Sequence, residues 1–318
     1  SVKNWNAPLG QIARSASKLH MYRSLARLVS DRVQVDASRP ILKREVDALL
    51  DYQRGLEVYH RDDAWRAGVV AHFEQNLRRM IRIADDAKVP MLVLAPPSNL
   101  KDCPPFKSEP TANLTSATVA KRDSLTAEAE GRRKIAPWET AQLLTQASAL
   151  DPKNAGIHFA LGHSQLAVSN LSSARDSLSL ALETDICPLR MLAAMRSEMR
   201  GICKETATRF IDLQSFFETT EDTRILGTGI LVDHIHPSVR GHQLIANRIT
   251  EEMNGWLLPA LAPSDHNWKE ARSQAYEEHL KSLDDLYYAH GQQRLENLKY
   301  WTEGRADGLP IELHTPAR

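Results

Sequence analysis

The sequence predicts an α/β layer fold that is interrupted by an α-helical insert and followed by a helical tail. Three observations predict it. An amphipathic helical stretch over 65–88 runs straight into a short apolar run closed by two prolines. Three alanine- and leucine-rich helical stretches then follow one another with only short breaks. A second short apolar run comes after them, ahead of a late Asp-x-x-His segment. Helix followed by a short buried strand is the repeating unit of such folds.

Length and composition set the outer bounds. At 318 residues the chain exceeds one ordinary domain. Its 40 basic and 40 acidic residues cancel, so no global field draws it to nucleic acid or to an anionic membrane. Cys103, Cys187 and Cys203 are odd in number and lack CxxC spacing, which argues against a disulfide framework or a zinc site. No apolar run approaches the ~20 residues that span a bilayer. Ser1 offers neither an initiator methionine nor a signal-peptide pattern, so the start reads as internal.

Along the chain, residues 11–30 read as a helix through Ile12, Leu19, Leu25 and Leu28, and 40–59 as a second, more polar one. Over 65–88, Val69, Val70, Phe73, Leu77, Met80, Ile81 and Ala84 share one face at helical spacing. Met91 to Ala95, closed by Pro96-Pro97, reads as a buried strand of a parallel sheet. The loop Pro96 to Phe106 then falls beyond the carboxyl end of that strand, where ligands of such sheets bind. A plain rigid proline loop explains the same residues equally well.

Residues 107–136 are polar and read as a loop or linker. The stretches 138–150, 154–168 and 171–184 are helical, separated by Asp151-Pro152-Lys153 and Ser169-Asn170. The last two resemble one tetratricopeptide repeat, through Leu161-Gly162, Ala174, Ala181 and the closing Asp185-Ile186-Cys187-Pro188. A helix over 188–205 and a strand over Arg209 to Leu213 bring the chain back to the sheet, so the hairpins form an insert. The apolar 225–232 stretch reads as a further strand, 239–258 as an amphipathic helix, and 267–303 as a helical tail.

The chemistry concentrates in Asp233-His234-Ile235-His236-Pro237-Ser238. An Asp three residues ahead of a His folds back within one turn, accepts the Nδ1 proton and fixes the tautomer. Nε2 is then free to act as a general base toward a serine hydroxyl. Pro237 and Gly241 shape the turn into the next helix. The spacing alone is common by chance; its place between an apolar stretch and an amphipathic helix gives it weight.

The segment Asp233-His234-Ile235-His236-Pro237, followed by Gly241-His242-Gln243-Leu244-Ile245-Ala246, resembles the last sequence block of SGNH/GDSL-type serine hydrolases. The loop Val93 to Phe106 and the stretch Asp185 to Arg190 resemble segments of those SGNH proteins that carry tetratricopeptide-like helices. The resemblance spans most of 65–255. It implies a three-layer, flavodoxin-like α/β fold, incomplete at its N-terminus. In these terms 1–106 and 206–262 belong to the SGNH domain, 107–136 is a linker, 137–205 the helical insert and 263–318 the tail. It also implies ester hydrolysis through an acyl-serine, with His236 as base and Asp233 as its partner. Asn99, Asp102 and Arg190 fall in the matched segments and are candidate substrate-binding residues.

No cofactor or metal is needed for that mechanism. The implied substrates are small acyl, lipid or carbohydrate esters, and a protein partner would use the tetratricopeptide-like helices. Relatives of this subgroup often carry an N-terminal membrane segment that places the domain outside the cytoplasm; here anchoring would come only from an upstream segment. The sequence departs from the family in one respect: it has neither the Gly-Asp-Ser-type block nor a Gly-x-Asn-Asp-like segment for the oxyanion hole. The expectation is that the serine lies upstream and that this chain alone does not turn over substrate.

Two other readings fit the same residues. His234, His236 and His242 with Asp233 could ligate a metal, although Pro237 and the helix after it favour a turn over the extended strand that HxH ligation needs. Alternatively the chain is a non-catalytic scaffold whose helical repeats bind a partner. His158, His163, His290, Tyr287 and Tyr288 read as packing or surface residues.

Overall fold

The computed structural model describes residues 59–254, 256, 268–287 and 289. The helices predicted over 11–30 and 40–59, and the tail past 287 apart from 289, lie outside the described residues.

Helix α1 (Asp63–Asp86) starts on Asp62, whose carboxylate accepts the Trp65 N–H at 2.8 Å. It ends as Lys88 turns left-handed at φ 58°, and the chain drops into strand β1 (Leu92–Ala95). Strand β2 (Arg209–Asp212) pairs with β1 in parallel, from Leu92 opposite Arg209 to Ala95 opposite Asp212. Between the two strands lie α2 (Ser116–Arg132), α3 (Pro137–Leu150), α4 (Ala155–Ala167), α5 (Leu171–Thr184) and α6 (Ala193–Glu205). The short α7 (Leu213–Glu218) follows β2, and α8 (Val239–Asn254) and α9 (Trp268–Lys281) complete the order.

Alternation along the strands divides the core. Val93 and Ala95 face Leu77 and Ile81 of α1 and Met199, Ile202 and Cys203 of α6. On the other face Leu92, Leu94 and Ile211 meet Phe217, Leu226, Ile230, Leu231 and the apolar side of α8. Helices α2 to α5 each pack on the next and form a separate stack. Pro137 opens α3, and Asn154 and Asn170 cap α4 and α5 through their side-chain oxygens. A Cβ added to Gly162 would come within 2.6 Å of the Leu178 side chain, so glycine is what lets α4 and α5 approach this closely.

The predicted three-layer flavodoxin-like fold is not what forms. Among the described residues 62% are helical and 5% are in strands, and the sheet is a single parallel pair. The physical reason is visible in the 225–232 stretch. Gly227-Thr228-Gly229 breaks the apolar run, and the Ile230 and Leu231 N–H groups both close back on the Gly227 carbonyl. Leu226, Ile230 and Leu231 are fully buried as a coiled plug beneath the sheet rather than as a further strand, and Ile225 is buried against Leu100 and α5. The segment 107–136 also differs from expectation, because Ser116 to Arg132 forms α2. Its polarity marks a helix with only Ala129 buried, started by Thr115 capping the Thr118 N–H.

Candidate active site

The Asp-x-x-His segment is a closed loop whose geometry follows from its own spacing. Asp233 Oδ1 accepts the N–H groups of Ile235 at 2.8 Å and His236 at 2.7 Å, and Oδ2 meets His236 Nδ1 at 2.7 Å. The loop is bracketed by two backbone bonds, Val232 N–H to the His236 carbonyl and Ser238 N–H to the Ile230 carbonyl, each 2.8 Å. Ser238 then caps α8 by accepting the Gly241 N–H. Gly241 has no room for a side chain: a Cβ there would stand 2.8 Å from both the Ile230 carbonyl and Pro237.

Burial separates the two partners. The Asp233 side chain is fully buried, whereas that of His236 is 61% exposed. Burial pushes the Asp233 carboxyl upward, but the bonds from His236 and Ile235 outweigh it and hold the group below its usual value. It is therefore an anion at neutral pH, and His236 carries its proton on Nδ1. Nε2 lies across the ring from that carboxylate, on the 61% exposed side chain. Among the described residues no hydroxyl hydrogen-bonds Nε2.

The loop Pro96–Phe106 is fastened beneath this segment. Asn99 donates its side-chain N–H to the Asp233 carbonyl at 3.0 Å and its backbone N–H to the His234 carbonyl at 2.9 Å. Its Oδ1 accepts the Asp102 N–H. Leu100 and Lys101 N–H groups both reach the Leu226 carbonyl. Asp102 Oδ2 accepts the backbone and hydroxyl of Thr228 at 2.7 and 3.0 Å. Glycine at 227 leaves room for this latch, because a Cβ would lie 2.2 Å from Asp102 Oδ2 and push the carboxylate aside.

Arg190 and Asp185 lock the other side of the loop. The Arg190 side chain is 2% exposed and that of Asp185 is fully buried, 3.3 Å apart. Arg190 Nη1 donates to the carbonyls of Asn99 and Cys103 at 2.8 and 2.9 Å. Asp185 accepts the N–H groups of Phe106, Lys107 and Cys187. Cys103 and Cys187 sit in the same apolar cluster as Phe106, and burial raises both thiols to about 11.

The structure thus gathers all five predicted residues into one junction. Asp233 and His236 form a dyad at its surface. Asn99 and Arg190 lie under it, Asn99 through its side-chain amide and backbone N–H and Arg190 through Nη1 and Nη2, and Asp102 latches the loop at its rim. Sequence reasoning missed Gln214, and it gave Asp185 and His234 other parts than the ones they take here. Gln214 accepts the Ser98 N–H at 2.7 Å and donates to Glu218, a contact between distant segments that no local pattern announces. Asp185 was legible only as the residue that closes the repeat and opens the Asp185 to Arg190 stretch. His234 packs its ring on Phe106, which needs the fold to be seen. For the metal reading, among the described residues no group of three or more His, Cys, Asp or Glu is placed to hold an ion.

In comparisons with protein-family models, curated proteins and solved structures, none matches this chain.

Proposed function

We propose that this chain supplies the Asp–His half of an ester-hydrolysing Ser-His-Asp site of the SGNH/GDSL type, with the serine coming from outside the described residues. The observation that carries the reading is the 2.7 Å bond from His236 Nδ1 to a buried Asp233 carboxylate, on a His236 side chain that is 61% exposed. A carboxylate so placed fixes the tautomer and stabilises the imidazolium that forms when the base takes a proton. A serine hydroxyl brought to Nε2 would give up its proton as it attacks the ester carbonyl. His236 would then return that proton to the leaving alkoxide, and water would hydrolyse the acyl-serine. Asn99, Asp102 and Arg190 contribute by holding the loops in place, and the substrate class is a small acyl, lipid or carbohydrate ester.

The test is p-nitrophenyl ester hydrolysis by the protein expressed from its whole reading frame. His236→Ala is expected to lower kcat by roughly 10³-fold or more, and Asp233→Asn by a comparable factor through the wrong tautomer. The chain of 318 residues alone is expected to show no turnover. A His236→Ala protein as active as wild type would overturn the proposal.

A second reading has its own observation. The stack carries a groove lined by Trp138, Gln142, Thr145, Gln146, Gln165 and Asn170, and Trp138 is exposed within it. A scaffold that binds a protein through this face would show no loss of function in His236→Ala.

A further inference from the structure

His234 stands two residues before the proposed base, against the same carboxylate. Its side chain is 10% exposed, where that of His236 is 61% exposed. Its ring is edge-on to Phe106, with centroids 5.4 Å apart at 84°, and edge-on to His236 at 5.9 Å and 88°. Phe106 is itself held from behind, since its N–H donates to Asp185 and the Arg190 guanidinium lies over its ring at 5.9 Å. The His234 backbone is pinned through its carbonyl to the Asn99 N–H. The ring is therefore wedged and forms a wall beside His236.

The polar atoms of this wall are placed in an unusual way. His234 Nδ1 is buried, lacks a hydrogen-bond partner, and lies 3.6 Å from Asp233 Oδ1, beyond hydrogen-bond range. A lone pair facing that carboxylate would be repelled, so the proton belongs on Nδ1. Asp233 then receives a short N–H from His236 on Oδ2, while the His234 Nδ1 stands off Oδ1 at 3.6 Å without a hydrogen bond. Burial keeps His234 neutral, against the pull of Asp233. An uncharged ring leaves the charge of the carboxylate to His236.

We infer that His234 is a positioning residue, whose wedged ring fixes the His236 imidazole with Nδ1 on Asp233 Oδ2 and Nε2 outward. The inference rests on the reading of His236 as the base, and it assigns the orientation of that base to a residue outside the Asp–His pair.

The experiment is ¹⁵N–¹H spectroscopy of histidine-labelled protein, with His236→Ala assigning the His236 signals. The wild type is expected to show a protected, downfield Nδ1 proton on His236. His234→Ala should lose that signal to exchange, and His234→Phe, which keeps the wall, should retain it. If His234→Ala fails to fold, Phe106→Leu decides instead, and should weaken the same signal. An unchanged His236 signal in the folded His234→Ala variant, or in Phe106→Leu where that variant decides, overturns the inference. The spectrum does not depend on turnover. Loss of the signal in a protein without esterase activity would sink the hydrolase reading and leave the positioning role standing.

Discussion

Helices α2 to α5 pack through Ala129, Leu144, Ala147, Ile157, Leu161, Ala174, Leu178 and Leu182, while the junction of loops 96–107 and 225–238 buries Arg190, Asp185, Asn99 and Asp233. In the stack each helix meets its sequence neighbour, and small residues set the approach. In the junction the partners are about 80 to 135 residues apart, as with Phe106 to Asp185 and Asn99 to Asp233. Removing one of these apolar stack residues leaves a void; removing a charged junction residue leaves its partner stranded in a dry interior. The junction therefore leans on polar bonds between distant segments, whereas the apolar contacts of the stack tolerate gradual change; the stack keeps one comparable anchor, the buried Asp151 paired with Arg122 at 2.7 Å.

That contrast can be broken by measurement. The largest effect is expected at the buried ion pair. Arg190→Met strands Asp185 and frees the carbonyls of Asn99 and Cys103, and should cost about 3–5 kcal/mol in urea unfolding. A loss below about 1 kcal/mol would show that the clamp does not hold the loops. Leu178→Ala, in the stack, should cost about 2–4 kcal/mol through transfer and cavity terms. Acid should separate the regions more gently. Asp233 and His234 both titrate lower in the folded protein than in the unfolded chain, so the unfolded chain binds more protons. Stability should thus fall as pH drops below about 6.5 for His234, and again below about 4 for Asp233. His234→Phe should flatten the first of these slopes in melting curves; an unaltered slope would assign it elsewhere. The smallest effect belongs to the surface of the stack. Glu139→Gln breaks a half-exposed pair with Arg132 and should change stability by less than about 1 kcal/mol.

Legibility in the sequence followed the same division. Helices α3 to α5 could be read from their alanine- and leucine-rich runs, the apolar faces of α1 and α8 from 3.6-residue periodicity, and β1 and β2 from short apolar runs, whereas α2, with only Ala129 buried, read as a linker. The Asp233–His236 bond could be read too, because three residues of separation suffice to build it. The number of strands could not. Ile225 to Val232 has strand composition, but Gly227-Thr228-Gly229 and the latch from Asp102 turn it into a plug, and that latch joins residues 126 apart. The engagement of Arg190 and Asn99 by protein groups was hidden for the same reason, as was the wedged ring of His234.

The most direct test of the central claim is covalent labelling of the protein from its whole reading frame with a fluorophosphonate, which captures a serine made nucleophilic by a neighbouring base. The account predicts one labelled serine, found by peptide mass mapping outside the 318 residues of this chain, with labelling lost in a His236→Ala protein that circular dichroism shows to be folded. No label, or labelling at the same rate in His236→Ala, would contradict it.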